Sequence, residues 1–172
     1  MGKLHLRKRE EATVELTDRT AEELAEVPGI EGLDHLAIAV PQGQMEAQLA
    51  AYALLGLREV HREEVRGKDM VREVMLQIGP GPSLIQLLEP MSPESPVQKL
   101  IERNGGRGGF AHVAFRVKSA QRAFAAMQAA GFQILDAAPR PGSRGTTVFF
   151  VHPKSRAEGG FGYLIEMVEV PG

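Results

Sequence analysis

The sequence predicts an α+β fold made of two tandem units, each a strand followed by a helix and three further strands. Three observations support this prediction. Alternating strings open the two halves, LAIAV at 36–40 and VAFRV at 113–117. A helical stretch follows each string and ends at a glycine, Gly56 or Gly131. Each half closes with an apolar strand that holds a single polar residue. Such an internal repeat outweighs any local assignment, because two similar units can each cover the other's open face.

The first unit follows from its periodicity. Residues 33–40 alternate between large apolar side chains and a face made of His35 and small alanines, which is typical of a strand. Residues 45–55 then have helical spacing, and Gly56 ends the helix. Glycine-rich and proline-rich turns separate the extended segments that follow. We predict strands at 57–65, 70–78 and 83–89.

The second unit repeats this order. Residues 110–117 form a strand with His112 on its small-residue face, and 120–130 form a helix. The glycine-rich stretch at 105–109 precedes a strand rather than a helix, so we interpret it as a link and not as a nucleotide fingerprint. Modules 31–104 and 109–171 then make one domain, 31–172. The remaining strands are predicted near 132–136, 146–151 and 162–169, with a turn at 139–142.

Residues 1–30 differ from the rest in being densely charged. Thr20 and Glu23 have the spacing of a capping box and predict one short helix. We therefore interpret 1–30 as an N-terminal extension outside the core, partly helical or disordered.

Composition excludes several classes of function. The 172-residue chain has no cysteine, which excludes disulfides, thiolate metal sites and a cysteine nucleophile. Its formal net charge of −2 gives no reason to expect nucleic acid or a membrane surface as a partner. No apolar run reaches the roughly 18 residues needed to cross a bilayer. The basic N-terminus is not followed by the apolar core of a secretory signal, so we expect a cytoplasmic protein.

Four polar side chains occupy matching places in the two units. His35 and His112 lie on the opening strands, while Gln86 and Glu166 are the single polar residues of the closing strands. The separation from His to the second residue is 51 residues in the first unit and 54 in the second. If the units superimpose, all four side chains face one concave surface near a pseudo-twofold axis.

This set of side chains predicts a metal site. Two imidazoles, a carboxylate and an amide oxygen suit a divalent first-row cation such as Co²⁺, Mn²⁺, Ni²⁺ or Zn²⁺. Four protein ligands leave two positions of an octahedral shell for a bidentate substrate. Each residue alone has an ordinary structural interpretation, and the prediction rests on the duplicated set at matching offsets.

Six strings between residues 33 and 170 form a recognisable pattern. They are LDHLAIAV at 33–40, IQLLEP at 85–90, SPESPV at 92–97, GFAHVAFRV at 109–117, VHPKS at 151–155 and LIE at 164–166. In these strings the chain resembles the vicinal oxygen chelate (glyoxalase-type) superfamily, and within it is most similar to the methylmalonyl-CoA epimerases. The resemblance implies a curved, barrel-like mixed sheet with helices outside, and a homodimer. It also implies that the metal lies on His35, Gln86, His112 and Glu166.

The resemblance further implies an activity. Such an enzyme interconverts the (R) and (S) forms of methylmalonyl-CoA by removing and returning the C2 proton, through an enolate that the metal stabilises. The family's catalytic glutamate falls on Glu73, within VREVM at 71–75, and Glu166 is the leading candidate for the second base. The implied cation is Co²⁺ in first place, and the implied partner is a small acyl-CoA substrate.

Three alternatives remain open at the level of sequence. A glyoxalase I-type lactoylglutathione lyase would share the ligand positions, a dioxygenase would leave no role for Gln86, and a metal-free ligand-binding module would need no such set. The other histidines and the loop cations have less specific signals, and a solvated surface explains them adequately. They are His5, His61, His152, Arg140, Arg144, Lys154 and Arg156.

Overall fold

An eight-stranded mixed sheet organises the residues that the computed structural model describes, 28–155 and 160–172. The predicted helix at Thr20 lies outside the described residues, as do His5 and Arg156. Within the described ranges, no helix is long and apolar enough to cross a bilayer. The strands are β1 (Ile30–Ala39), β2 (Arg58–Val65), β3 (Val71–Gln77), β4 (Leu84–Pro90), β5 (Gly109–Val117), β6 (Arg140–Pro141), β7 (Thr147–Val151) and β8 (Leu164–Glu169). The helices are α1 (Met45–Leu54), α2 (Pro96–Arg103) and α3 (Ala120–Ala129), and Ser143–Gly145 forms a 3₁₀ turn.

The order of the strands repeats across the sheet. It is β2-β3-β4-β1 in one half and β5-β8-β7-β6 in the other, with β1 and β5 antiparallel at the junction. In each half the closing strand, β4 or β8, runs parallel to the opening strand. The predicted α+β fold of two related modules in one curved sheet is confirmed.

Each half buries an apolar cluster on the face of the sheet that its own helix covers. Met45 of α1 packs with Val40, Val74 and Leu87 in the first half. In the second half α3 packs with β7 and β8 through Phe124, Met127, Phe149 and their neighbours. Because the large apolar side chains of each strand point to the helices, the small-residue face is left for the concave side.

Three local predictions differ from the structure. Helix α2 was not expected, although Ser95 accepts a hydrogen bond from the Val97 backbone N–H and Pro96 occupies the first turn. The predicted turn at 139–142 contains the two-residue strand β6. The predicted strand at 132–136 is reduced to a bridge between Ile134 and Val151. It ends there because the side chain of Asp136 accepts the Phe150 N–H at 2.8 Å.

Two glutamates at equivalent positions, Glu89 buried and Glu169 half-buried, fix the starts of helices α1 and α3. Glu89, near the end of β4, accepts hydrogen bonds from the backbone N–H groups of Gly43 at 2.7 Å and Met45 at 3.2 Å. Glu169, at the end of β8, accepts one from Ala120 at 2.7 Å. Both glutamates lie three residues after the polar residue of their strand, so the repeat extends to its helix caps.

We expect Glu89→Ala to lower the free energy of unfolding by about 2 kcal/mol, because two backbone donors and the guanidinium of Arg72 lose their acceptor. Urea unfolding followed by circular dichroism measures this change. Glu46→Ala is the control, since Glu46 is exposed and its one ion pair among the described residues is with Arg62, so it should cost less than about 0.5 kcal/mol. Equal effects of the two substitutions would contradict the capping role of Glu89.

Candidate metal centre

A row of three side chains crosses the junction of the two halves. His35 on β1 pairs with Ala114 on β5, and Ala114 pairs with Glu166 on β8. Paired residues on neighbouring strands point to the same face of a sheet. Because Ala114 carries only a methyl group and is fully buried, His35 and Glu166 reach towards each other above it.

The other half repeats this row about the junction. His112 on β5 pairs with Ala37 on β1, and Ala37 pairs with Gln86 on β4. Ala37 is also fully buried. The two rows lie two residues apart on each opening strand, so four large polar side chains surround a pair of alanines.

The structure brings three of these side chains into contact. The Nε2 atoms of His35 and His112 lie 3.2 Å apart. The Oε2 atom of Glu166 lies 3.1 Å from each of those nitrogens. All three residues are buried, and one possible ligand atom from each falls within 4.8 Å of the others. Such a separation suits a common cation.

A buried carboxylate orients the first imidazole. Asp34 accepts a hydrogen bond from Nδ1 of His35 at 2.8 Å, so in the neutral imidazole the lone pair is on Nε2, which faces His112 and Glu166. Two arginines complete the surroundings of Asp34, Arg116 at 2.9 Å and Arg144 at 2.7 Å. Metal-bound histidines commonly have such a carboxylate behind them.

The charges of the cluster shift the pKa values of His35, Glu166 and Asp34. Burial would lower the pKa of His35, but contacts with Asp34 and Glu166 outweigh it and raise the pKa to about 9. Burial would raise the pKa of Glu166, but His112 and His35 outweigh it and lower the pKa to about 2. For Asp34, burial is likewise outweighed by His35 and the two arginines, and the pKa lies well below its usual range. The cluster thus favours a positive charge at its centre.

Glu73 and Gln86 form a buried pair beside the histidines. The amide nitrogen of Gln86 donates a hydrogen bond to Oε2 of Glu73 at 2.7 Å. Burial raises the pKa of Glu73, partly offset by the nearby hydroxyl of Ser143 and the charge of His35. The side-chain oxygen of Gln86 has no hydrogen-bond partner among the described residues, so it is available as a metal ligand.

Unpartnered buried oxygens indicate that the residues present fit a divalent cation. Glu73 Oε1 and Gln86 Oε1 accept no hydrogen bond among the described residues, and Glu166 Oε2 faces the two imidazole nitrogens at 3.1 Å. Leaving such atoms buried without a partner costs about 1–3 kcal/mol each. Nitrogen and oxygen donors of this kind suit a first-row divalent ion, which would satisfy the lone pairs that converge here.

We expect Ala114→Val to weaken Co²⁺ binding at least tenfold, because two added methyl groups would separate His35 from Glu166. Calorimetric titration with Co²⁺ measures the affinity. The added volume should also cost about 1–3 kcal/mol of stability. Ala114→Gly is the control, since it leaves the space open and should retain the affinity. A valine variant that binds Co²⁺ as tightly as the unchanged protein would exclude convergence above Ala114.

A cavity of about 580 Å³ opens above this cluster. Glu73, Gln86, His112 and Glu166 line it together with mostly apolar side chains. His35 is buried beneath the cavity lining, with 1% of its surface exposed. A ligand in this cavity would contact both halves of the chain.

The other histidines and basic residues considered from the sequence differ in whether they line the cavity. His152 lines the cavity, whereas His61 lies on β2 and contacts Glu63 at 2.8 Å. Arg140 also lines the cavity but is paired with Asp69 and Asp136. Lys154 is exposed, and Arg144 is bound to Asp34 as described above.

Sequence reasoning missed three contributors to the site. The sequence analysis places Asp34 only within a strand. An aspartate directly before a predicted histidine ligand could have indicated a carboxylate that orients the imidazole. Arg144 was read as a solvated loop cation, but it is largely buried against Asp34 and has a left-handed backbone with φ of 56°. Ser143, its neighbour, lines the cavity close to Glu73.

Comparison with known proteins places this architecture among relatives. Residues 34–150 match the Glyoxalase/Bleomycin resistance protein/Dioxygenase superfamily. The mitochondrial methylmalonyl-CoA epimerase of Dictyostelium discoideum is 30% identical over 141 residues, which cover 82% of this chain and 80% of that protein.

Two solved structures are similar over most of the chain. The methylmalonyl-CoA epimerase of Mycobacterium tuberculosis superposes with a TM-score of 0.73 at 28% identity, covering 83% of this chain and 90% of that one. A variant of the Streptomyces coelicolor methylmalonyl-CoA epimerase, in complex with 2-nitronate-propionyl-CoA, also has a TM-score of 0.73. It is 32% identical and covers 83% of this chain and 99% of its own.

Proposed function

The chain belongs to the Glyoxalase/Bleomycin resistance protein/Dioxygenase superfamily, and we propose that it is an enzyme that interconverts the (R) and (S) forms of methylmalonyl-CoA. The observation that carries this proposal is the meeting of His35, His112 and Glu166 at one wall of a cavity, with the buried pair Glu73–Gln86 beside them. The similarity to epimerases over about four fifths of the chain identifies the substrate class.

We propose that His35, Gln86, His112 and Glu166 hold a divalent cation, with Co²⁺ as the first candidate ahead of Mn²⁺, Ni²⁺ and Zn²⁺. When bound, such a cation supplies Lewis-acid stabilisation of the negative charge that develops on the thioester oxygen. Support comes from the close approach of the two imidazole nitrogens to each other and to Glu166, and from the unpartnered oxygen of Gln86 among the described residues.

Glu73 is the proposed base on one side of the substrate. Its Oε1 atom has no partner among the described residues, so it is available to take the C2 proton. The hydrogen bond from Gln86 to Oε2 fixes the orientation of the carboxylate. Burial raises the pKa of Glu73 and so strengthens it as a base.

Glu166 is the proposed second base, on the other side of the substrate, and its lowered pKa keeps it ionised at neutral pH. It comes from β8, in the opposite half of the sheet from Glu73 on β3, so the two carboxylates approach the cavity from different halves. A proton taken by one carboxylate and a proton given by the other invert the configuration at C2. The two carboxylates must then return to their starting protonation states before the next turnover in the same direction.

Turnover of pure (R)-methylmalonyl-CoA to the mixture of both forms, followed by chiral chromatography, tests the proposed function. The thiohemiacetal of methylglyoxal and glutathione, offered in parallel, tests the glyoxalase I-type alternative. Analysis of the purified protein by inductively coupled plasma mass spectrometry tests the metal-free alternative. We expect epimerisation and a bound divalent metal. Turnover of the thiohemiacetal alone, or binding without turnover or metal, would refute the proposal.

We also propose, from the resemblance to the family, that the protein is a cytoplasmic homodimer. Light scattering coupled to size-exclusion chromatography measures the oligomeric state. A mass corresponding to one chain at micromolar concentration would contradict the dimer.

A further inference from the structure

A second, smaller cavity adjoins the larger cavity at the end of α2. Its volume is about 300 Å³. Leu100, Arg103 and Phe110 line both cavities, so the two spaces share a wall. The smaller cavity is completed by Asn104, Arg107, Gly108 and Gly109.

The charges of the two cavities differ. The smaller cavity is lined by two arginines, Arg103 and Arg107, and by no acidic residue among those described. The acidic side chains of the lining, Asp69, Glu73 and Glu166, all belong to the larger cavity alone. The combined space is therefore positive at one end, and the candidate metal cluster occupies another part of it.

Arg103 and Arg107 also differ from the other arginines near the site. Arg116, Arg140 and Arg144 are each paired with a buried or half-buried aspartate. In contrast, no carboxylate among the described residues lies within ion-pair distance of Arg103 or Arg107, and both are exposed. Nε of Arg107 donates a hydrogen bond to the Asn104 carbonyl oxygen at 3.3 Å, which leaves the two terminal nitrogens of its guanidinium for a ligand. The guanidinium fork matches phosphate oxygens in geometry.

The spacing along β5 suits an elongated ligand. Gly109 lines the smaller cavity and His112 belongs to the metal cluster, three residues further along the same strand. At about 3.3 Å per residue, these positions are roughly 10 Å apart, and Arg107 extends the path further. An acyl thioester at the cluster would thus reach the arginines through a long, flexible arm such as pantetheine.

We propose that Arg103 and Arg107 bind the phosphate groups of the coenzyme A portion of the substrate. The proposal rests on the proposed function in taking an acyl-CoA as the ligand. It assigns the two cavities to the two ends of one molecule, the acyl group beside Glu73 and Glu166 and the phosphates beside the arginines. Cations in the last turn of a helix also stabilise the helix itself, and the experiment separates that role from phosphate binding.

The test compares R103Q/R107Q with the control R58Q/R122Q, which removes the same charge from two exposed arginines outside both cavities. Calorimetric titration with coenzyme A and with adenosine 3′,5′-bisphosphate measures phosphate binding without reference to turnover. We expect R103Q/R107Q to weaken both ligands at least tenfold, and the control to match the unchanged protein. Melting temperatures of both variants show whether the helix end has been weakened instead.

Kinetics provide the second measurement. The ratio of kcat/KM for methylmalonyl-CoA to that for methylmalonyl-N-acetylcysteamine, which lacks the nucleotide, should fall about tenfold in R103Q/R107Q. Unchanged ligand affinity and an unchanged ratio overturn the assignment of the arginines and leave the epimerase proposal standing. Arginine-dependent binding of coenzyme A by a protein that does not epimerise methylmalonyl-CoA would support the subsite and overturn the proposed function.

Discussion

Glu73→Gln is expected to lower kcat for epimerisation by about 10²–10⁴-fold, which corresponds to about 3–5 kcal/mol of barrier, while the metal content stays unchanged. The amide retains the size of the carboxylate and still accepts the hydrogen bond from Gln86. It cannot take a proton from C2. The cluster of His35, His112 and Glu166 does not include Glu73, so Co²⁺ affinity measured by calorimetry should be retained.

Exchange of the C2 proton with solvent distinguishes a mechanism with two bases from one with a single base. In a mechanism with two bases, each carboxylate removes the proton from one form of the substrate. Glu73→Gln should therefore still exchange the C2 proton of one form with solvent deuterium through Glu166, without inverting it. Nuclear magnetic resonance in D₂O follows both forms separately.

Glu64→Gln is the matched control for Glu73→Gln. Glu64 lies on the neighbouring strand β2, is exposed and pairs with Arg66, so its loss should leave turnover unchanged. If Glu73→Gln keeps full activity, Glu73 has no part in the proton transfer. If it stops exchange of both forms equally, a single-base mechanism replaces the one proposed.

His112→Ala is expected to weaken divalent metal binding by more than about 100-fold and to abolish measurable epimerisation. Losing a partner behind a ligand already costs 10–100-fold in affinity, so losing a ligand should cost more. The nitrogen of His112 lies 3.2 Å from that of His35 and 3.1 Å from Glu166, so no other described side chain replaces it at this position.

Thermal unfolding with and without EDTA gives a readout of His112→Ala that does not depend on turnover. A metal at 100 times its dissociation constant stabilises a protein by about 2.7 kcal/mol. EDTA should lower the Tm of the unchanged protein and leave that of His112→Ala where it is. His61→Ala, whose imidazole contacts Glu63 on β2, should respond like the unchanged protein. Equal EDTA sensitivity of the two variants would remove His112 from the metal site.

The internal repeat explains how much of this architecture the sequence predicts. Matching strings make His35 equivalent to His112 and Gln86 equivalent to Glu166. In the sheet Ala37 pairs with Gln86 and His112, and Ala114 pairs with His35 and Glu166. Strand pairing follows from the alternation of large and small side chains, because one face must meet a helix.

The parts that could not be predicted depend on contacts between distant residues. Arg144 is largely buried because its guanidinium donates a hydrogen bond to Asp34, a residue 110 positions away in the chain. The strand predicted at 132–136 ends early because a side chain, that of Asp136, takes a backbone N–H that pairing would have used. Neither contact has a signal in local composition.

The junction of β1 and β5 has a consequence for how this site could arise. Two separate copies of one module would have to present the same residue at both equivalent positions, either two amides or two carboxylates. Within a single polypeptide the two halves can differ, and the amide of Gln86 in one half corresponds to the carboxylate of Glu166 in the other. A single chain can therefore build a pocket with two chemically different sides, which a reaction that distinguishes the two faces of a carbon atom can use.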